Sequence, residues 1–267
     1  MRILCSGAAG FIGSHLVDHF TNYGHSVWSV DNLIMGKKEN LNKTALKNFY
    51  QFDLRKKDMV NFVTRIAKPE IIFHLADFGG SKLSENCPTF ITENNLNVSL
   101  NLLSAAIKQK VRRFVFFSSI IGGEQFQVPE TIYGFSKAYF ESILKILSFK
   151  YHFEYLIIRL PRVYGTRMAL HDPYREGAEV IFRDILLGKR TVEDPALKKC
   201  LNVEELVIEV AEIAFNDKIK NDTFTFLPMS FKPEKIAESL RWAKKNYSGE
   251  FKTLSFLELN NLEGGES

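Results

Sequence analysis

"LCSGAAGFIGSHL", residues 4–16, places glycines at 7, 10 and 13, between a short apolar run and an amphipathic one. Glycine in a regular element costs conformational entropy, so three at this spacing need a reason. Without Cβ atoms, backbone N–H groups approach a pyrophosphate closely, and the helix that follows adds the positive end of its dipole. A tight turn with close helix–strand packing is the plain alternative, and the surroundings must separate the two.

Short apolar runs alternate with longer helical patterns. Strands are predicted at residues 2–6, 26–30, 49–52, 70–75, 113–119 and 155–161. They are apolar on both faces, as a parallel sheet covered by helices requires. Helical spacing occupies 11–23, 56–67, 92–109 and 133–150. The alternation predicts an α/β fold, a doubly wound parallel sheet of Rossmann type with right-handed crossovers. Beyond residue 165 the periodicity weakens. Helices are predicted at 175–187, 203–216 and 231–246, with short strands near 190–193 and 223–227. The expected organisation is a dinucleotide-binding domain over 1–165 and a small α/β substrate lobe over 166–260, interleaved with the sheet domain. The polar, Gly-rich tail 261–267 is expected to be disordered.

Composition narrows the function. With 35 Lys and Arg against 31 Asp and Glu, the formal net charge is +4, and the basic residues are scattered. That is a solvated surface and not a nucleic-acid footprint. No run reaches the ~18 apolar residues of a membrane span, and no targeting segment opens the chain, so a cytoplasmic protein without a membrane partner is expected. Cys5, Cys87 and Cys200 lie far apart and form neither a metal-type pair nor a disulfide framework, so no metal is expected.

The glycines fall where ligands bind an open α/β sheet. Eighteen residues after Gly13 the second strand ends in Asp31. A carboxylate there binds both ribose hydroxyls of NAD and repels the 2′-phosphate of NADP, although Lys37 and Lys38 follow closely. "YGFSK", residues 133–137, sets Tyr133 and Lys137 four apart, on one helix face. A tyrosine is a poor base near neutral pH, but a neighbouring ammonium and an oxidised nicotinamide both favour its phenolate. Such a pair suits an alcohol losing hydride. Taken alone, it reads as a solvated Lys beside a half-buried Tyr. Ser118 and Ser119 end the fifth strand, where a hydroxyl can orient a sugar oxygen or merely satisfy the strand end.

In this order the pieces resemble the extended short-chain dehydrogenase/reductase family, in its NAD-dependent nucleotide-sugar epimerase/dehydratase branch, from residue 1 to about 227. The glycines match G-x-x-G-x-x-G, which implies cofactor contacts at Gly7, Gly10, Phe11, Ile12 and Gly13. "VDNLIMGKKENL" (30–41) resembles the loop whose Asp takes the adenosine ribose, implicating Asp31 and Asn32. "FDL" (52–54) implies that Asp53 and Leu54 meet adenine. "FHLAD" (73–77) resembles the H-L-A-A turn beside the cofactor, implicating Leu75, Ala76 and Asp77. "ENNLNVSLNLL" (93–103) resembles N-x-x-G-T and brings Asn95 to the site. "FVFFSS" aligns Ser119 with the catalytic Ser/Thr, and "YGFSK" supplies Tyr133 and Lys137. "RLPRVYGTR" (159–167) brings Pro161 near the nicotinamide.

The resemblance implies a homodimeric NAD enzyme acting on a nucleotide-diphosphate sugar. Tyr133 would take a hydroxyl proton as hydride leaves, Ser119 would orient the oxygen, and Lys137 would hold the nicotinamide ribose. Three departures bear on substrate. Arg162 stands where the family often has Asn, and either binds a diphosphate or pairs with an acid. The run from Ser119 to Tyr133 is shorter than usual. In "LKKCLNVEEL" (197–206) a Lys replaces the Arg expected near the nucleotide phosphates. Dehydratases of this family carry carboxyl groups directly after the catalytic Ser/Thr, and decarboxylases tend to keep a Glu there. Here Ile120, Ile121, Gly122 and Gly123 follow Ser119, and Glu124 comes late. The expectation is therefore C4 epimerisation of an NDP-hexose through a 4-keto intermediate. The alternatives are a dehydratase, decarboxylase or ketoreductase, or a relative that binds NAD without chemistry as a sensor or scaffold.

Overall fold

Along the fifth strand, Phe114 and Phe116 pack into one apolar layer while Val115 and Phe117 pack into the other. A strand buried on both faces belongs inside a covered sheet, and that is where it lies. The computed structural model describes residues 1–120, 129–170, 172, 177–191, 194–227 and 232–247. Seven parallel strands form one sheet. They are β1 (Arg2–Ser6), β2 (Ser26–Asp31), β3 (Phe49–Gln51), β4 (Ile71–His74), β5 (Arg113–Ser119), β6 (Glu154–Leu160) and β9 (Asp222–Thr225). Their order across the sheet is β3-β2-β1-β4-β5-β6-β9. The order reverses between β1 and β4, where Ser6 pairs with His74. That switch point opens a crevice at the carboxyl ends of the strands.

Helix α1 (Phe11–Asn22) packs with α9 (Val203–Phe215) on one face of the sheet, around Leu16, Phe20 and Val210. On the other face, α3 (Lys57–Ala67), α6 (Val98–Lys108) and α7 (Ile132–Tyr151) contribute Val63, Leu102, Phe140 and Leu144. Each such fully buried side chain contributes on the order of 1.5–3 kcal/mol. At the opposite edge from the crevice, the fully buried Arg113 bridges Glu154 at 2.7 Å and the Ile219 carbonyl at 2.8 Å. It ties β5 and β6 to the segment that leads into β9.

The six long strand predictions match the structure. The stretch near 223–227 is not a lobe strand; as β9 it pairs with β6 and becomes the sheet's seventh strand. Two strands have no sequence signal. β7 (Arg162–Tyr164) and β8 (Cys200–Asn202) form a separate parallel pair. The helix predicted at 92–109 is the end of a longer broken run. It comprises α4 (Ser81–Asn86), α5 (Pro88–Ile91), a π-helical turn Thr92–Asn97 and α6. Pro88 lacks the N–H to continue α4 and instead opens α5 at its first position. A further single turn, α2 (Lys43–Leu46), precedes β3.

A second apolar cluster joins Tyr164, Phe182, Leu197, Ile236 and Leu240. It holds α8 (Ala178–Leu186), β7, β8 and α10 (Pro233–Asn246) over the open end of the sheet. The strand predicted at 190–193 has no counterpart at Arg190 and Thr191; residues 192–193, Glu124 and the tail 261–267 lie outside the described residues. Among the described residues, no helix is long and apolar enough to cross a membrane.

Candidate active site

The turn after β1 is narrow for two reasons. Gly7 sits at φ +69°, and a Cβ there would lie 2.7 Å from the Ala76 nitrogen, against the backbone that leaves β4. A Cβ on Gly13, in the first turn of α1, would collide with the Gly7 carbonyl. Any larger residue at either position pushes loop and helix apart. Gly10 is the N-cap of α1 and offers no side-chain acceptor. The first-turn N–H groups have no intrahelical acceptor either, so they are available to an anion.

Asp31 ends β2 beside this turn and is only 8% exposed. The Ala9 N–H donates to its Oδ2 at 3.0 Å, and the Leu33 N–H to its Oδ1 at 2.8 Å. Burial pushes its carboxyl up, and the backbone N–H groups of Leu33, Ala9 and Gly10 pull it back. A Cβ on Gly36 would sit 2.7 Å from Oδ1, so that glycine keeps the carboxylate clear. Lys38 lies 5.9 Å from the Phe49 ring, while Lys37, 5.0 Å from the Tyr247 ring, lines the same cavity as Asp31. Asn32 accepts from the Ile34 N–H in a local turn. Burial works against the charge on Asp53, but hydrogen bonds from Arg55 win and hold its carboxyl below the usual range.

Tyr133 and Lys137 lie on the first turns of α7, whose N-cap, Thr131, accepts from the Gly134 N–H. Lys137 is buried, and its Nζ donates to the Phe117 carbonyl at 2.9 Å and lies 2.5 Å from Asp77 Oδ2. The Tyr133 hydroxyl donates to the same Oδ2 at 3.3 Å. The two serines divide their tasks. Ser118 donates to Glu141 at 2.6 Å, and Glu141 is gripped by Arg159. Ser119 follows it at the cavity wall.

One cavity of about 1300 Å³ runs from the glycine turn past Asp31 and Asp53 to Ser119, Tyr133 and Lys137, and on to Arg162. Pockets for a single drug-sized ligand measure ~300–1,000 Å³, so the volume suits a dinucleotide with a second ligand beside it. Every residue expected at the site lines this cavity except Asn95. The Asn95 amide is committed to the Phe78 backbone, accepting from its N–H at 2.7 Å and donating to its carbonyl at 2.9 Å. Asn94 lines the cavity instead. The π-helical turn through both residues shifts the register by one residue relative to an α-helix, which spacing does not reveal. Nor does spacing reveal that Asp77 meets Tyr133 and Lys137. Its one visible signal is an acid in place of the second Ala of H-L-A-A. Arg162 and Lys199 present cations to the lobe end of the cavity. Among the described residues Arg162 forms no ion pair, so its pairing with an acid has no counterpart there.

The residues fit NAD. The turn offers backbone donors and close approach for a pyrophosphate, and the buried Asp31 carboxylate lines the same cavity beside it. A model of the NAD-dependent epimerase/dehydratase family matches residues 3–197. The UDP-glucose 4-epimerase of Mycolicibacterium smegmatis is 33% identical over 210 residues, covering 72% of this chain and 65% of that protein. UDP-glucuronic acid decarboxylase 1 of Arabidopsis thaliana is 31% identical over 186 residues, covering 64% of this chain and 42% of that protein. The chain thus spans less than two thirds of the length of these relatives. Among solved structures, the Thermotoga maritima UDP-glucose 4-epimerase with UDP-glucose superimposes with a TM-score of 0.74 at 28% identity, covering 95% of this chain and 85% of that one. The Thermus thermophilus UDP-glucose 4-epimerase in complex with NAD gives 0.73 at 27% identity, covering 98% and 93%. The glycine turn, the strand-end carboxylate, the Ser–Tyr–Lys set and these likenesses agree: the chain belongs to the NAD-dependent epimerase/dehydratase family.

Proposed function

We propose that the protein is a nucleotide-sugar 4-epimerase that takes a UDP-hexose through a 4-keto intermediate. The carrying observation is that Ser119, Tyr133 and Lys137 share one cavity with the glycine turn and Asp31. NAD, when bound, would supply hydride acceptance and return. Tyr133 takes the C4 hydroxyl proton and gives it back, while Ser119 orients that oxygen. Lys137 has used two N–H donors, on Phe117 and Asp77, and a third remains for a ribose hydroxyl. Hydride out and back at C4 needs no further acid. The carboxylate that contacts Tyr133, Asp77, is paired with Lys137 at 2.5 Å. Arg162 and Lys199, cations lining the lobe end of the cavity, support a diphosphate-binding role there. The 4-epimerase names of relatives support the UDP-hexose choice.

Incubation with UDP-, GDP- and dTDP-hexoses, followed by product mass and NMR, tests this reading. An isobaric product inverted at C4 is expected. A product lighter by one water overturns it in favour of a dehydratase. A second reading, decarboxylation of a UDP-hexuronate, draws on decarboxylase relatives at about the same identity; a product lighter by carbon dioxide would establish it. Absence of turnover with every sugar nucleotide, alongside intact NAD binding, would leave a binding protein.

A homodimer is part of the proposal. Phe135, Tyr139, Ile146 and Phe149 form an apolar stripe on the outer face of α7, with Phe149 86% exposed. Light scattering of Phe149→Glu against wild type checks it, a dimer-to-monomer shift being expected.

A further inference from the structure

The site contains a carboxylate that the proposed chemistry does not require. Asp77 Oδ2 stands 2.5 Å from Lys137 Nζ and receives the Tyr133 hydroxyl at 3.3 Å, so a single oxygen joins the base to its activating cation. Lys137 Nζ is also 5.7 Å from the centre of the Tyr133 ring. The ammonium favours the phenolate, and a carboxylate in hydrogen-bond contact with the hydroxyl opposes it. The two charges act against each other at the tyrosine oxygen. The hydrogen bond to Oδ2 adds to the opposition, because only the phenol can make it.

We propose that Asp77 is a positioning residue that holds Tyr133 as a phenol in the resting site and fixes Lys137 beside it. The proposal rests on the reading of Tyr133 as the proton-transfer group. It makes Tyr133 an acid at rest, a base only once a further positive charge enters the cavity. In a reversible oxidation–reduction both roles are needed, one for each direction of proton transfer.

Titratable groups in contact with Tyr133 include Lys137 on its own helix and Asp77 on the segment after β4. Behind them on β4 lies His74, buried between the Ser6 and Ser99 hydroxyls at 2.7 Å each. Glu141, one turn beyond Lys137, is neutralised by Arg159 at 2.6 Å. Arg162, Lys199 and Glu179 line the cavity toward the lobe.

The test is a pH titration of cofactor-free protein labelled with 13C at tyrosine Cζ, with the Tyr133 resonance assigned by its loss in Tyr133→Phe. In wild type, Tyr133 should remain a phenol up to at least about pH 9, near the ordinary tyrosine value. In Asp77→Asn its transition should move down by roughly one pH unit or more, and in Lys137→Met it should move up. Asp77→Glu should restore the wild-type transition. A merely structural Asp77 would shift both variants alike or neither. Ionisation of Tyr133 below about pH 8 in wild type overturns the proposal without any variant. So does an unmoved transition in a folded Asp77→Asn protein. For the sugar nucleotide that proves to be the substrate, the acid limb of kcat/KM should move with the titration. The titration itself needs no turnover, so the role of Asp77 is decided even in a protein that processes no sugar nucleotide.

Discussion

The backbone N–H of Ala9 donates to Asp31 Oδ2 across 3.0 Å, tying the glycine turn to the end of the second strand. The two features of a dinucleotide site are therefore held in fixed relation before any ligand arrives. A carboxylate at the adenosine ribose would repel a 2′-phosphate, and Lys38 faces the Phe49 ring while Lys37 lines the cavity near the Tyr247 ring. NAD should bind more tightly than NADP by at least about tenfold, or 1.4 kcal/mol. Calorimetric titration of both into cofactor-free protein checks this; equal affinity would mean that a lysine reorients to offset Asp31.

Tyr133→Phe removes one oxygen and little volume. The fold and NAD affinity should persist while turnover falls at least ~100-fold. Near-normal turnover in this variant would refute the assignment of the base. Lys137→Met should weaken NAD binding as well as turnover, because Lys137 is assigned to both.

Arg162→Ala separates substrate binding from structure. Arg162 is exposed on β7, lines the cavity and has no ion pair among the described residues. Its loss should raise KM for the sugar nucleotide and leave NAD affinity and Tm unchanged. A lower Tm with unchanged KM would point instead to a structural partner.

His74 links stability to pH. Burial is the main cause that lowers its pKa to about 3, helped by Lys137 and opposed by Asp77. The folded value lies below the unfolded one, so between about pH 6.5 and 3 the unfolded chain binds more protons. Stability is therefore full above about pH 6.5 and falls as the pH drops through that window. The loss should be about 1.4 kcal/mol at pH 5.5. His74→Gln should be less stable at pH 7.5 yet lose less on acidification. Parallel Tm-against-pH curves for the two proteins would exclude this link.

What was legible in the sequence is what lies close along the chain. The both-faced apolar strands, the glycines and the four-residue step from Tyr133 to Lys137 are local patterns set by strand and helix periods, and each stands where it was read. The strand-end position of Asp31 followed from the same alternation. Contacts between distant segments carry no period. Asp77 and Tyr133 are 56 residues apart and meet because β4 and β5 are neighbours and α7 packs beside them. β9 reads as a lobe strand until its pairing with β6 assigns it to the sheet. Asn94 and Asn95 are equivalent in a string of letters; the π-helical turn turns one toward the cavity and commits the other to Phe78. Local backbone preference can be summed from neighbouring residues, whereas which strand edges and helix faces meet depends on burying apolar surface across the whole chain at once.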